Sequence, residues 1–302
     1  MAIDFSLAEL VALSVESFFF GIYVVLFASS LRVLFNKRKT NPGTTPLLAL
    51  AGVFGALITW HVLTDAVRIV YAFKLDQVPL GPDLYYANVA SALSVIKTAL
   101  YLVITILFDA FILYRCFIVW DRNVVVILLP FLVFLADIGT GIASVQGLSG
   151  LTKGDSVFIA KQERITKAFL SSTVVVNGLC TLLIAYRLWT RQGTMRDSRK
   201  AFGLTREIAI MAESGVIYSV TALLIIATFT AKSNSFNVFL DMASAVIGIA
   251  FSLIIIRIGG DASQATHISM QGMGQPLPEE NRSVAGSMVK EPLPQSEAHA
   301  AV

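Results

Sequence analysis

Seven apolar runs, each long enough to cross a lipid bilayer, divide most of this chain, and only short polar linkers separate them. A run of about 20 apolar residues matches the hydrocarbon thickness of a membrane. Only structures that satisfy their own backbone hydrogen bonds can live there. The runs cover about residues 10–34, 46–73, 90–119, 124–146, 168–189, 207–230 and 236–256. The expected fold is therefore an all-α integral membrane protein, a seven-transmembrane helix bundle occupying residues 10–258. A short extracellular segment, residues 1–9, precedes it, and a disordered cytoplasmic tail, residues 259–302, follows. Composition agrees, since 14% charged residues against 56% hydrophobic ones leave too little charge to cover a water-facing surface.

The basic residues predict the orientation. Linkers one, three and five, with their flanking span ends, hold Arg32, Lys37, Arg38, Lys39, Arg115, Arg122, Arg187, Arg191, Arg196, Arg199, Lys200 and Arg206. Linkers two, four and six hold Lys74, Lys153, Lys161, Arg164, Lys167 and Lys232. Twelve against six places the odd linkers in the cytosol, with the N-terminus outside and the tail inside. Asp4 and Glu9 replace the positive region of a secretory signal, so the first run is read as an uncleaved span.

Local signals refine the picture. Pro46 opens the second span, and Pro130 lies inside the fourth, where a kink is expected. Asp109–Asn123, DAFILYRCFIVWDRN, closes the third span with Tyr114, Trp120 and Arg122 at an interfacial position. Between the fourth and fifth spans a mixed-charge loop of about twenty residues is expected. Ala243, Ala245, Gly248 and Ala250 in span seven, and Gly52 and Ala56 in span two, read as helix-packing faces. The tail is poor in aromatics and contains PLP at Pro276–Pro278 and Pro292–Pro294, a composition that buries too little surface to fold alone.

Ionisable residues inside the spans carry the functional signal. Each costs at least ~2.5 kcal/mol in hydrocarbon and should face the bundle interior or a wet cavity. Toward the outer side lie Glu16, His61, Asp65, Arg68, Lys97 and Asp241, with His61, Asp65 and Arg68 spaced i, i+4, i+7 on one helical face. An outer charged cavity for a small ligand follows. Alternatively Asp65 and Arg68 form a purely internal pair, and Arg68 and Lys97 snorkel to the boundary. Deeper lie Asp137 and Asn177. Toward the cytoplasm lie Asp109, Arg115 and Glu213; a rise of ~1.5 Å per residue brings Arg115 and Glu213 to similar depth, so they are candidates for a latch between spans three and six. The competing reading has Arg115 reaching lipid headgroups.

Enzyme classes fare poorly. The three histidines are His61, His267 and His299, two of them in the tail, which is too few for a membrane zinc hydrolase. Span seven lacks a lysine for retinal attachment, and no phosphate-cradling glycine loop is present. Neither a catalytic residue, a metal nor a cofactor is expected. Cys116 and Cys180 lie within apolar runs and read as small core residues. A net charge of +3, without a basic patch, gives no reason to expect nucleic acid.

With DAFILYRCFIVWDRN closing span three, RLW (Arg187–Trp189) closing span five and ESGVIYS (Glu213–Ser219) in span six, the chain resembles a large family of fungal, basidiomycete-type, seven-span proteins over roughly Leu10 to Ile258. The resemblance implies a fold and a membrane location rather than a reaction. Two functions follow as expectations. A receptor-like protein would sense a small ligand outside and meet a cytoplasmic protein through linkers 36–45 and 190–206 and the tail. A transporter would use Glu16, Asp65, Asp109, Asp137 and Asp241 as a relay. The plasma membrane is the expected location.

Overall fold

The computed structural model describes residues 5–40, 42–74, 85–86, 91–149, 156–194, 215–233 and 235–273. The described elements are helices: α1 (Phe5–Thr40), a 3-10 turn (Pro42–Thr44), α2 (Thr45–Phe73), α3 (Ala92–Val119), α4 (Val124–Ser149), α5 (Ser156–Thr194), α6 (Gly215–Thr230) and α7 (Ser235–Met273). Six contain stretches long and apolar enough to cross a membrane: Ser6–Lys39, Thr45–Phe73, Ala92–Val119, Val124–Leu148, Ala160–Arg187 and Ser235–Arg257. The chain is thus a multi-pass membrane protein. The described part of α6 is shorter, because residues 195–214 lie outside the described set. Chain contacts divide the molecule into Met1–Gly260, which holds the bundle, and Asp261–Val302, described only as helical backbone to Met273.

Local chemistry sets the helix ends. Pro46 sits in the first turn of α2, where its missing N–H costs nothing. The Ser91 hydroxyl caps α3 by accepting from the Ser94 amide at 3.4 Å. α3 and α4 are joined by a tight turn in which Asp121 and Arg122 take positive φ, and the Arg122 amide donates back to the Phe117 carbonyl at 3.0 Å. α4 runs through Pro130 as one continuous helix.

The burial pattern is that of a lipid-soluble molecule. Val125, Leu182 and Val70 are 81%, 69% and 67% exposed, while Glu16, Asp65, Asp109 and Asp137 are fully buried. A protein in water reverses this order. Within the bundle α1 packs on α2, α2 on α3, α3 on α4 and α5, and α4 on α5. α7 is the central helix, with Ala243, Ala245, Ala250, Phe251 and Ile254 all buried. Phe251 meets Phe54 at 4.5 Å and Phe111 at 4.9 Å between ring centroids. These rings and the aliphatics around them (Ile58, Ile104, Ile254) form an apolar layer across the bundle.

Several helix bounds differ from the expected ones. α5 begins at Ser156, so much of the loop expected before residue 168 is helical. Its charged first turns are good helix formers and pair along the axis, Lys167 with Glu163 at 2.8 Å. They also dock on α4, where the Gln162 side-chain amide donates to the Ser144 carbonyl at 2.7 Å. Linker 36–45 is helical as far as Thr40 and then a 3-10 turn. The tail expected to be disordered from residue 259 is helical to Met273, and residues 274–302 lie outside the described set. Gly52 and Ala56 are exposed on α2 rather than part of a packing face; Gly55, one turn away, is the residue that faces α1, against the Phe27 ring.

Gly248 marks a close helix approach. A methyl group placed there would lie 2.6 Å from both Ile58 and the Tyr23 ring. Gly248→Ala is therefore expected to destabilise the bundle by about 1–3 kcal/mol. Gly52→Ala, with open space around it, should stay within about 0.5 kcal/mol. Thermal unfolding of both variants in one detergent checks the contrast.

Candidate functional site

Four helices contribute to one buried polar cluster, three of them by the same spacing rule. Residues at i, i+4 and i+7 share a helical face. α1 presents Glu9 and Glu16, α2 presents His61, Asp65 and Arg68, and α7 presents Asn237, Asp241 and Ser244. α3 adds Lys97 near its beginning. Glu9, Lys97 and Asp241 lie near the starts of α1, α3 and α7, and Asp65 near the end of α2. The cluster therefore occupies one end of the bundle, the upper end.

Lys97 is the hub. Its ammonium donates to Asp65 and to Asp241, the latter at 2.7 Å, and stands 3.8 Å from Glu9. Arg68 lies 3.5 Å from Asp65 and 3.7 Å from Glu9, with its guanidinium 5.4 Å from the centre of the Tyr86 ring. Asn237 donates to the second Glu9 oxygen at 3.0 Å. His61 Nδ1 meets Glu16 at 2.7 Å, and the Ser244 hydroxyl approaches both, at 3.3 Å from Glu16 and 3.4 Å from His61. The most exposed charged member, Arg68 or Lys97, is only 5% accessible.

All six outer candidates from the sequence, Glu16, His61, Asp65, Arg68, Lys97 and Asp241, thus fall in one network. Arg68 and Lys97 point inward to carboxylates instead of snorkelling. Glu9 was missed, having been assigned to the extracellular segment. Its position two turns before Glu16, on the same face, was the available signal.

A cavity of about 520 Å³ opens beside the cluster. One wall is polar, with Glu9, His61, Arg68, Lys97 and Asp241. The others are largely apolar, with Tyr101, Leu102, Phe169, Phe236 and Leu240 among the lining residues. The volume falls in the range of small-molecule sites. Glu9, Asp65 and Asp241 each offer a carboxylate oxygen within 4.8 Å of the others, the one group among the described residues with metal-like spacing. The Lys97 ammonium already donates to two of these carboxylates, so a metal there would require Lys97 to move.

A second polar station lies deeper. Ser172 and Thr173 of α5 both donate to one oxygen of Asp137 on α4, Thr173 at 2.8 Å. Thr181 donates to Asn177 at 3.3 Å. Asp109 is fully buried, and neither of its oxygens has a hydrogen-bond partner among the described residues. Phe108 and Tyr218, 5.0 Å apart, flank this level.

At the lower end the Asp121 carboxylate takes Arg187 at 2.9 Å. The Trp120 indole donates to the Leu183 carbonyl at 3.2 Å and stacks on Tyr186. These contacts tie the α3–α4 turn to α5. Arg115 is partly buried with its guanidinium 5.7 Å from the Phe111 ring. Glu213, the other half of the expected latch, lies outside the described residues. Cys116 of α3 and Cys180 of α5 are buried free thiols.

Compared with known proteins, the chain matches no family model, no curated protein and no solved structure.

Removing the hub leaves four buried carboxyl groups facing one cation. Lys97→Met is therefore expected to cost about 3–5 kcal/mol of stability, as for other broken buried pairs. Lys167→Met, which removes a half-exposed partner of Glu163, should cost at most about 1 kcal/mol. Denaturation midpoints of the two variants in the same micelle test the ranking.

Proposed function

We propose that this chain is a receptor-like seven-helix membrane protein that senses a small ligand in its upper cavity. The observation that carries the reading is the 520 Å³ cavity with a charged wall at one end of the bundle, above an apolar layer built from Phe54, Phe111 and Phe251. A path for ions would need polar groups through that layer. The large side chains of that layer are aromatic and aliphatic, although the buried hydroxyls of Thr105 and Ser252 lie next to Ile104 and Phe251 in the chain. The excess of basic residues on the odd linkers supports an outward-facing cavity and a cytoplasmic lower end. Linkers 36–45 and 190–206 and the tail then supply the surface for a cytoplasmic protein partner, and the bundle belongs in the plasma membrane. Membership in the fungal seven-span family is part of the same proposal and rests on the three motifs quoted above.

A transporter is the second reading. Asp109, buried without a hydrogen-bond partner among the described residues, and Asp137 supply acidic groups at depths a relay would need.

Proteoliposomes loaded with a pH-sensitive dye separate the two. Under an imposed pH gradient and membrane potential, the receptor reading expects proton flux no greater than in protein-free vesicles. Flux that is protein-dependent and abolished by Asp109→Asn would contradict it and establish the carrier.

A further inference from the structure

The geometry points to an organic ammonium ion with an apolar body as the ligand of the upper cavity. This inference deepens the preceding reading and rests on it. The first argument is charge. Glu9, Glu16, Asp65 and Asp241 are four carboxyl groups, and Arg68 and Lys97 are the two permanent cations set against them, all buried at the same end of the bundle. Acid is in excess. Both cations are already surrounded by carboxylates, with Lys97 on Asp65 and Asp241 and Arg68 near Asp65 and Glu9. The other cation lining the cavity, Lys232, is exposed and lies near Glu163, so a carboxylate or phosphate entering beside the buried cluster would find both of its cations engaged and would meet like charge.

The second argument is shape. Lys97 is itself an alkylammonium seated among Glu9, Asp65 and Asp241. The cage therefore already has the spacing and acceptor chemistry that an ammonium requires. Glu9 and Asp241 also line the cavity, and each keeps one oxygen that accepts no hydrogen bond from the described residues: Asp241 Oδ1, and Glu9 Oε2, which stands 3.7 Å from Arg68 and 3.8 Å from Lys97. His61 points the same way in the tautomer whose Nδ1–H donates to Glu16, which leaves Nε2 as an acceptor. It is 1% exposed and lines the cavity, and its Nε2 has no hydrogen-bond partner among the described residues.

The third argument is the remaining wall. Tyr101, Leu102, Phe169, Phe236 and Leu240 give the cavity an apolar body, and its aromatic rings suit an alkyl or aryl chain ending in a cation. The ligand's charged end seats beside Lys97 on Glu9 and Asp241, and its apolar body lies along α3, α5 and α7.

Thermal shift of the full-length protein in detergent tests this with three isosteric probes: 3-phenylpropylamine, 3-phenylpropan-1-ol and 3-phenylpropionate. The amine is expected to raise Tm with a saturable dose dependence that the alcohol and the carboxylate lack. Asp241→Asn should weaken the apparent affinity for the amine at least tenfold. Because that change removes one acid from an acid-rich cluster and leaves Lys97 its Asp65 partner, the variant retains a folded baseline. Glu9→Gln serves as a second variant with the same expectation. Stabilisation by the alcohol or the carboxylate at least equal to that by the amine overturns the ammonium assignment while leaving the cavity a ligand site. An amine shift unchanged in both variants also overturns it. No shift with any of the three probes overturns the assignment together with the reading it rests on.

Discussion

A charge in hydrocarbon must be neutralised by another charge held against it, and this bundle meets that requirement at Lys97. The ammonium of α3 gathers Asp65 from α2 and Asp241 from α7, and stands near Glu9 from α1. No apolar contact between these helices is as specific. In lipid the tails solvate leucine as well as a neighbouring helix does, so apolar burial gives little drive for association. Ionic groups have no such alternative partner. The upper end is thus fixed by electrostatics and the middle by shape, as where Gly248 lets α7 lie against Tyr23 and Ile58.

The division explains the layout from end to end. The polar wall and the cavity share the upper end, the aromatic layer of Phe54, Phe111 and Phe251 fills the bundle interior, and the Trp120–Asp121–Arg187 contacts close the lower turn. A ligand that alters the balance of charge around Lys97 acts on four helices at once. Such a site can bias helix packing, because it touches the groups whose pairing holds the helices together.

Much of this was legible in the sequence, for a physical reason. A charged residue within an apolar run is costly enough to be kept only where it is paired, so Glu16, Asp65, Lys97 and Asp241 announced an interior polar site before any contact was known. The i, i+4, i+7 spacing of His61, Asp65 and Arg68 placed them on one face, and they share one cluster. Other features were less legible. Glu9 precedes the apolar run, and a hydropathy boundary does not register that the helix starts earlier and carries Glu9 beneath Asn237. The charged start of α5 reads as a loop in the sequence because polarity marks the edge of a membrane rather than the end of a helix. Gly52 and Ala56 were small enough to pack but face outward, since composition does not say which side of a helix meets a neighbour. Arg115 and Glu213 were matched by depth alone, and Glu213 lies beyond the described residues.

The account stands on the coupling between Lys97 and its carboxylates, and a double-mutant cycle measures that quantity most directly. Lys97→Gln, Asp65→Asn and the combined variant would be compared with the parent by equilibrium unfolding in one detergent. The account predicts that the double variant is more stable than the sum of the single losses implies, by about 1–3 kcal/mol, the size expected for residues in one ionic network. Losses that add to within about 0.5 kcal/mol would show that the pair is not coupled, and would contradict Lys97 as the hub of the fold.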